Sequence, residues 1–138
     1  AAVLHRGLKD HPDGCGEDVR QRLEAGAALP VEDYIRVRRL QAEGKRRFEL
    51  FFHEYDVLIL PTTPIPAPPI VGTGALEAAE QLTRFTSPFN LVGLPAISIP
   101  CGWVGGLPFG VQLVTRHWNE AMLLRAGQAY ESIISAGR

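Results

Sequence analysis

The sequence predicts an α/β protein in which helices flank about three strands of a mixed sheet. Three observations carry the prediction. Asp56–Leu60, Ala96–Ile99 and Val111–Val114 are short apolar runs bounded by turn formers, the pattern of strands within a buried sheet. The stretches from Val31 and from Glu120 repeat apolar residues at steps of three and four, the pattern of amphipathic helices. Helical segments also precede, separate and follow the strands, which is the order of a layered α/β fold.

The chain has 138 residues, the length of one ordinary domain, with 46% apolar and 21% charged residues, a globular balance. Fourteen basic against fifteen acidic residues give a net charge of −1, so no basic footprint for nucleic acid is expected. Arg36, Arg38, Arg39, Lys45, Arg46 and Arg47 cluster at helical spacing, read as a solvated helix face in preference to a phosphate site. Cys15 and Cys101 are far apart and lack Cys-x-x-Cys spacing, which argues against zinc or redox chemistry and for a reduced, cytoplasmic setting. No apolar run reaches the roughly 18 residues of a membrane span, and no signal peptide is visible.

In chain order, Ala1–Lys9 reads as the tail of a helix, with Val3, Leu4 and Leu8 on one side. It lacks an initial methionine, so the chain is expected to be a piece of a longer protein. Asp10–Gly16 is dense in turn formers. Glu17–Ala25 predicts a short helix, with Val19 and Leu23 four apart and Gly26 as its C′ residue. A long helix is expected over Val31–Tyr55: Pro30 stands near its first position, and Glu32 and Asp33 suit the positive end of its dipole. Tyr34, Val37, Leu40, Gly44, Phe48, Phe51 and Tyr55 would form one continuous buried stripe, with Gly44 allowing a close neighbour. Core packing is the simpler reading of that stripe, a cofactor box the remoter one.

Asp56–Leu60 then reads as a strand covered on both faces. Pro61, Pro64, Pro66, Pro68 and Pro69 make the following segment extended. A rigid connection is preferred there over a ligand for a proline-binding groove. Gly72–Gly74 is a hinge-like turn, and Ala75–Phe85 a short helix. Thr86–Pro95 is a helical or turn segment ending in a tight Gly-Leu-Pro corner. The connection Pro100–Pro108 carries Gly102, Gly105 and Gly106 and is short enough to favour antiparallel strands. Asn119 can cap a final helix from Glu120, with Met122, Ala126, Ala129, Tyr130 and Ile133 as its stripe and Gly137 at its end.

Catalytic motifs are sparse. There is no Gly-x-Ser-x-Gly elbow, phosphate loop, His-Glu-x-x-His or dinucleotide fingerprint. His5, His11, His53 and His117 are scattered. Ser87 and Ser98 lack a local base, and Cys101 reads as an inert small hydrophobe.

Phe-Thr-Ser-Pro-Phe-Asn-Leu-Val-Gly-Leu-Pro-Ala-Ile-Ser-Ile-Pro-Cys-Gly, followed by Gly-Leu-Pro-Phe-Gly-Val-Gln-Leu-Val, resembles the C-terminal part of the amidase signature family. Tyr-Asp-Val-Leu-Ile-Leu-Pro-Thr-Thr-Pro resembles the strand before it. His-Pro-Asp, Asp-Val-Arg-x-Arg-Leu-Glu-x-Gly and Asp-Tyr-Ile-Arg-Val-Arg-Arg-Leu resemble its helical lead-in. The likeness runs in order along nearly the whole chain. It implies that residues 1–138 are the C-terminal portion of one α/β/α domain. It also implies cleavage of a carboxylic amide through an acyl-enzyme on a Ser-Ser-Lys triad, with no cofactor and no metal. None of the triad lies at a matching position; leucine follows Gly105-Gly106, where a serine-rich loop would be needed. The isolated chain is therefore expected to be inactive, with no catalytic residue of its own.

By the same resemblance, Thr86, Phe89, Asn90, Gly93 and Leu94 would wall the substrate channel. Backbone at a Gly-Leu-Pro corner can approach a ligand, and an apolar wall with few polar groups makes a selective pocket. The expected partners are a small-molecule amide and the N-terminal remainder of the enzyme, with neither nucleic acid nor membrane; a homodimer stays open. Glutamyl-tRNA amidotransferase A subunits resemble the same region but commonly carry aspartate where this chain has Thr83, which cannot pair with an ammonium. An amidase is thus preferred over a component of an amidotransferase, with a non-catalytic packing or binding module as the remaining alternative.

Overall fold

The computed structural model describes residues 16–69 and 75–136. The expected helix over Ala1–Lys9, most of the Asp10–Gly16 loop, the Gly72–Gly74 turn and Gly137 lie outside the described residues. The chain divides into two compact units, Ala1–Leu40 and Gln41–Arg138.

In the first unit, α1 spans Glu17–Ala27 and the long helix α2 begins at Val31. Gly26 lies inside α1 instead of following it. Ala28 is the C-cap in ordinary right-handed conformation, its N–H donating to the Glu24 carbonyl at 3.1 Å. A single glycine weakens a helix by about 1 kcal/mol, too little to end one. Tyr34, Val37 and Leu40 are exposed, which corrects the expected continuous buried stripe. Periodicity fixes which side chains share a face; it does not supply the surface that covers them.

The second unit holds the rest of α2, to Glu54, then β1 (Leu58–Pro61), α3 (Ala75–Thr83), α4 (Ser87–Val92), β2 (Ala96–Val104), β3 (Leu107–Val114) and α5 (Glu120–Ala136). The α/β class and the three strands are as expected. They lie in the order β1-β3-β2, and both pairings are antiparallel. Among the described residues no helix is long and apolar enough to cross a membrane.

The hairpin is longer than the sequence indicated. Strands run to Val104 and from Leu107, leaving only Gly105 and Gly106 as the turn, at φ 59° and 79°. Two positive φ values in a two-residue loop match the right-handed twist of the flanking strands. Pro100 pairs with Gly110 and Gly102 with Phe109, so Cys101 is the extra residue of a bulge. A proline is tolerated there because β2 lies at the edge of the sheet formed by the described residues.

Alternation along the strands divides the core. On one face Phe52, Phe89, Val92, Leu94 and Val114 cluster, with Phe48, Phe51, Leu58 and Leu60 against them. Gly44 meets this cluster as expected: a Cβ there would stand 3.0 Å from Val92 Cγ1. Tyr55, at the end of the same stripe, is exposed, and Phe52 beside it is the buried ring. On the other face Ile99, Leu113 and Leu123 meet, with Ile97, Val111 and Tyr130 around them. The stripe expected on α5 is shifted: Ile133 and Ala129 are exposed, while Leu123 and Gly127 are buried. Gly127 brings α5 so close that a Cβ would lie 3.3 Å from Ile99 Cδ1. β1 is not covered on both faces as four apolar residues in a row implied, since Ile59 is 61% exposed.

Candidate functional site

Buried polar groups hold the ends of the sheet. Gln112 is buried and donates from Nε2 to the carbonyls of Pro61 at 3.2 Å and Phe85 at 2.9 Å. It thereby ties the end of β1 to the turn before α4. At the opposite end Thr115 is fully buried. Its Oγ1 donates to the Asp56 carbonyl at 2.8 Å, and its N–H to the Pro95 carbonyl at 3.2 Å. One residue thus fastens the starts of β1 and β2 to the end of β3. Asn119 Nδ2 donates to Thr115 Oγ1 at 3.3 Å, and the Asn119 carbonyl accepts from Met122 at the start of α5. The link between Thr115 and Asn119 is therefore anchored at both ends.

α4 is entered through the Thr83–Thr86 turn. Thr86 Oγ1 and Ser87 Oγ both donate to the Thr83 carbonyl, at 3.2 and 2.7 Å. Gly93 ends the helix at φ 77°, and its N–H and that of Leu94 both donate to the Phe89 carbonyl. A residue with a Cβ would be strained in that left-handed conformation. Across the corner, His117 Cε1 comes within 3.9 Å of the Cβ position of Gly93, so corner and link are in van der Waals contact.

Two adjoining cavities open beside this contact and share Leu94 and His117. The larger, about 420 Å³, has Phe52 and Leu94 as apolar lining and Glu49, His53, Asp56 and Arg116 as polar lining. Among the described residues no ion pair joins Arg116 to either carboxylate. The smaller, about 350 Å³, is lined by Asn90, Gly93, Leu94, Pro95, Trp118 and Glu120 besides His117. No group of three or more His, Cys, Asp or Glu side chains among the described residues is arranged to hold a metal ion.

Of the expected wall residues, the smaller cavity brings Asn90, Gly93 and Leu94 together. Phe89 is core, its ring 5.6 Å from that of Phe48. Thr86 is half-buried with its hydroxyl turned to the Thr83 carbonyl. His117, Trp118 and Glu120 were missed. Their signal was position: they lie on or beside the connection between a buried strand and the final helix, and binding residues concentrate on loops carried by packed elements.

The serines have other partners than a base. Ser98 Oγ lies 2.6 Å from Thr62 Oγ1, across Gly110, where a Cβ would stand 2.9 Å from Ser98 Oγ. Ser87 bonds backbone as described. The Tyr130 phenol is raised above its ordinary 10.0, first by desolvation, then by the field of Cys101 and a hydrogen bond to it.

A sheet with helices on both faces, carrying a cleft at a Gly-Leu-Pro corner, defines a segment of a layered α/β protein. The family is specific: residues 7–124 match the family model described as Amidase, and the chain belongs to that family. It is 36% identical over 129 aligned residues to the glutamyl-tRNA(Gln) amidotransferase A subunit of Geobacillus thermodenitrificans, covering 86% of this chain and 26% of that protein. Among solved structures it is similar to an amidase, with 34% identity and a TM-score of 0.76 over 95% of this chain and 32% of the other. It is also similar to the glutamyl-tRNA(Gln) amidotransferase A subunit of Thermotoga maritima, with 29% identity and a TM-score of 0.65 over 85% and 27%. The chain thus spans about a quarter of the curated relatives' length.

Proposed function

We propose that this chain is the C-terminal portion of an amidase, supplying sheet and one wall of the substrate pocket. The hydrolysis itself runs on a Ser-Ser-Lys triad upstream. The nucleophilic serine takes the acyl group, ammonia or an amine leaves, and water releases the acid, as in other acyl-enzyme chemistry. The observation that carries this reading is the smaller cavity, where Asn90, Gly93 and Leu94 line a space together with His117 and Trp118. Asn90 can donate to and accept from an amide at once, and Leu94 gives the apolar contact that a selective pocket needs. Thr86 and Phe89 stand behind this wall and set the position of Asn90: the Asn90 N–H donates to the Thr86 carbonyl at 3.1 Å. The setting is cytoplasmic, with the amide and the N-terminal remainder as partners.

The test is the intact enzyme on a panel of carboxylic amides. Asn90→Ala lowers kcat/KM by about tenfold, the size of one lost hydrogen bond that includes a penalty for the orphaned partner, and Thr86→Val changes the order of preference among the amides. Unaltered kinetics in both variants contradict the pocket role.

The amidotransferase reading is favoured by the names of the relatives and opposed by Thr83. The Thr83 hydroxyl donates to the Ala79 carbonyl at 2.9 Å within α3 and carries no charge for a glutamine ammonium. Glutaminase activity exceeding simple amide hydrolysis in the intact protein would reverse the preference.

A further inference from the structure

We infer that Trp118 is a specificity-determining residue whose indole forms the flat side of the amide site and selects amides bearing a planar aromatic group. The inference rests on the amide-hydrolase reading above and names the substrate class of the same cavity. Trp118 lines the cavity that holds Asn90, Gly93 and Leu94, yet it is 93% exposed and so adds almost nothing to the core. It is also the one non-glycine residue at positive φ among the described residues, at 61°. For a bulky side chain that conformation is costly and persists only where the surroundings enforce it. Here they do. Thr115 is locked to Asp56 and Pro95 on one side, and Asn119 is locked to Thr115 and to the first turn of α5 on the other. The three residues between are held out from the sheet with the indole at the cavity rim.

The chemistry of the surroundings favours an aromatic group over a cation. Leu94 and Pro95 are apolar, Gly93 presents bare backbone, and Asn90 is neutral. Glu120 is the single carboxylate of this cavity, and His117 lies at its border with the larger one. An indole face pairs with another ring by offset or edge contact as well as by shared apolar area.

The experiment compares an aryl amide with an alkyl amide of similar size in the intact enzyme. In Trp118→Ala the aryl-to-alkyl ratio of kcat/KM falls about tenfold, mainly through KM, the scale of one lost aromatic contact and its area. Trp118→Phe restores most of the ratio, because the ring is what matters. Trp118→Gly, which relieves the left-handed backbone, shows the same fall without a folding defect. An unchanged ratio, or a larger effect on an ammonium-bearing amide, overturns the inference. A second readout separates substrate contact from packing against the remaining polypeptide. With 5-fluorotryptophan incorporated, the ¹⁹F resonance missing in Trp118→Phe is solvent-sensitive and shifts with benzamide but not with acetamide. A resonance insensitive to solvent and to both amides also overturns it. Failure of the wild-type enzyme to hydrolyse any amide removes the underlying reading and this inference with it. Hydrolysis with an unchanged ratio removes this inference alone.

Discussion

On one face of the sheet Phe52, Phe89, Val92, Leu94 and Val114 pack with the partly buried Phe48 and Phe51. On the other, Ile99 and Leu113 pack against Leu123 of a single helix, α5. The aromatic face is closed by two helices meeting at tight contacts: Gly44 against Val92, and Phe48 against Phe89. The aliphatic face is closed over β2 and β3 only, and Ile59 of β1 remains in solvent. The comparison explains where the cleft lies. Its apolar lining, Phe52 and Leu94, belongs to the aromatic cluster, so the pocket wall is backed by the more densely enclosed core. A wall set on packed elements holds a ligand's position better than one set on a loop alone.

The contrast can be broken most forcefully at Phe89. Phe89→Ala costs about 3–5 kcal/mol in denaturant unfolding, and more than Phe51→Ala, because Phe51 is only half-buried. Equal losses at the two positions would mean that the aromatic face is not closed as described. Next in size is Gln112→Leu, which keeps the volume but orphans the Pro61 and Phe85 carbonyls. It costs about 1–3 kcal/mol, and a neutral result would show those carbonyls to be satisfied otherwise.

The two helical glycines sharpen the comparison further. Alanine at either gains about 1 kcal/mol of helix propensity. At Gly44 the new methyl meets a β-branched, fully packed Val92 at 3.0 Å, and net destabilisation of about 1 kcal/mol follows. At Gly127 it meets the far end of Ile99 at 3.3 Å, which can give, and the change is close to neutral. Thermal melts of the pair check the order. The smallest effect is electrostatic and belongs to the aliphatic face. The Tyr130 phenol is raised in the folded state, so the unfolded chain ionises first. The stability this gives is fully present below pH 10.0 and is lost as pH rises through the folded value. Tyr130→Phe flattens that alkaline decline; an unchanged pH profile would contradict the assignment.

Much of this architecture could be read from residue order. The extent of α2, the close approach at Gly44, the corner at Gly93 and the antiparallel hairpin all follow from local chemistry: periodicity, a missing Cβ, a short connection. What could not be read depends on partners distant in sequence. Four apolar residues in a row at Val57–Leu60 say nothing about which face a helix will reach, so Ile59 was misjudged. Gln112 and Thr115 look like surface polar residues until the carbonyls of Pro61, Phe85 and Asp56 arrive across the sheet. Of the proposed wall, Asn90, Gly93 and Leu94 are close together in sequence and visible as a group. Trp118 and His117 join them only because Thr115 and Asn119 fix the path of the chain between β3 and α5.

The most direct test of the account sets this 138-residue chain beside the intact enzyme, with both assayed for hydrolysis of the same carboxylic amides. The account predicts turnover by the intact enzyme and none by the chain alone, because it assigns the wall to this chain and the nucleophile to upstream polypeptide. Turnover at enzymatic rate by the isolated chain would contradict it.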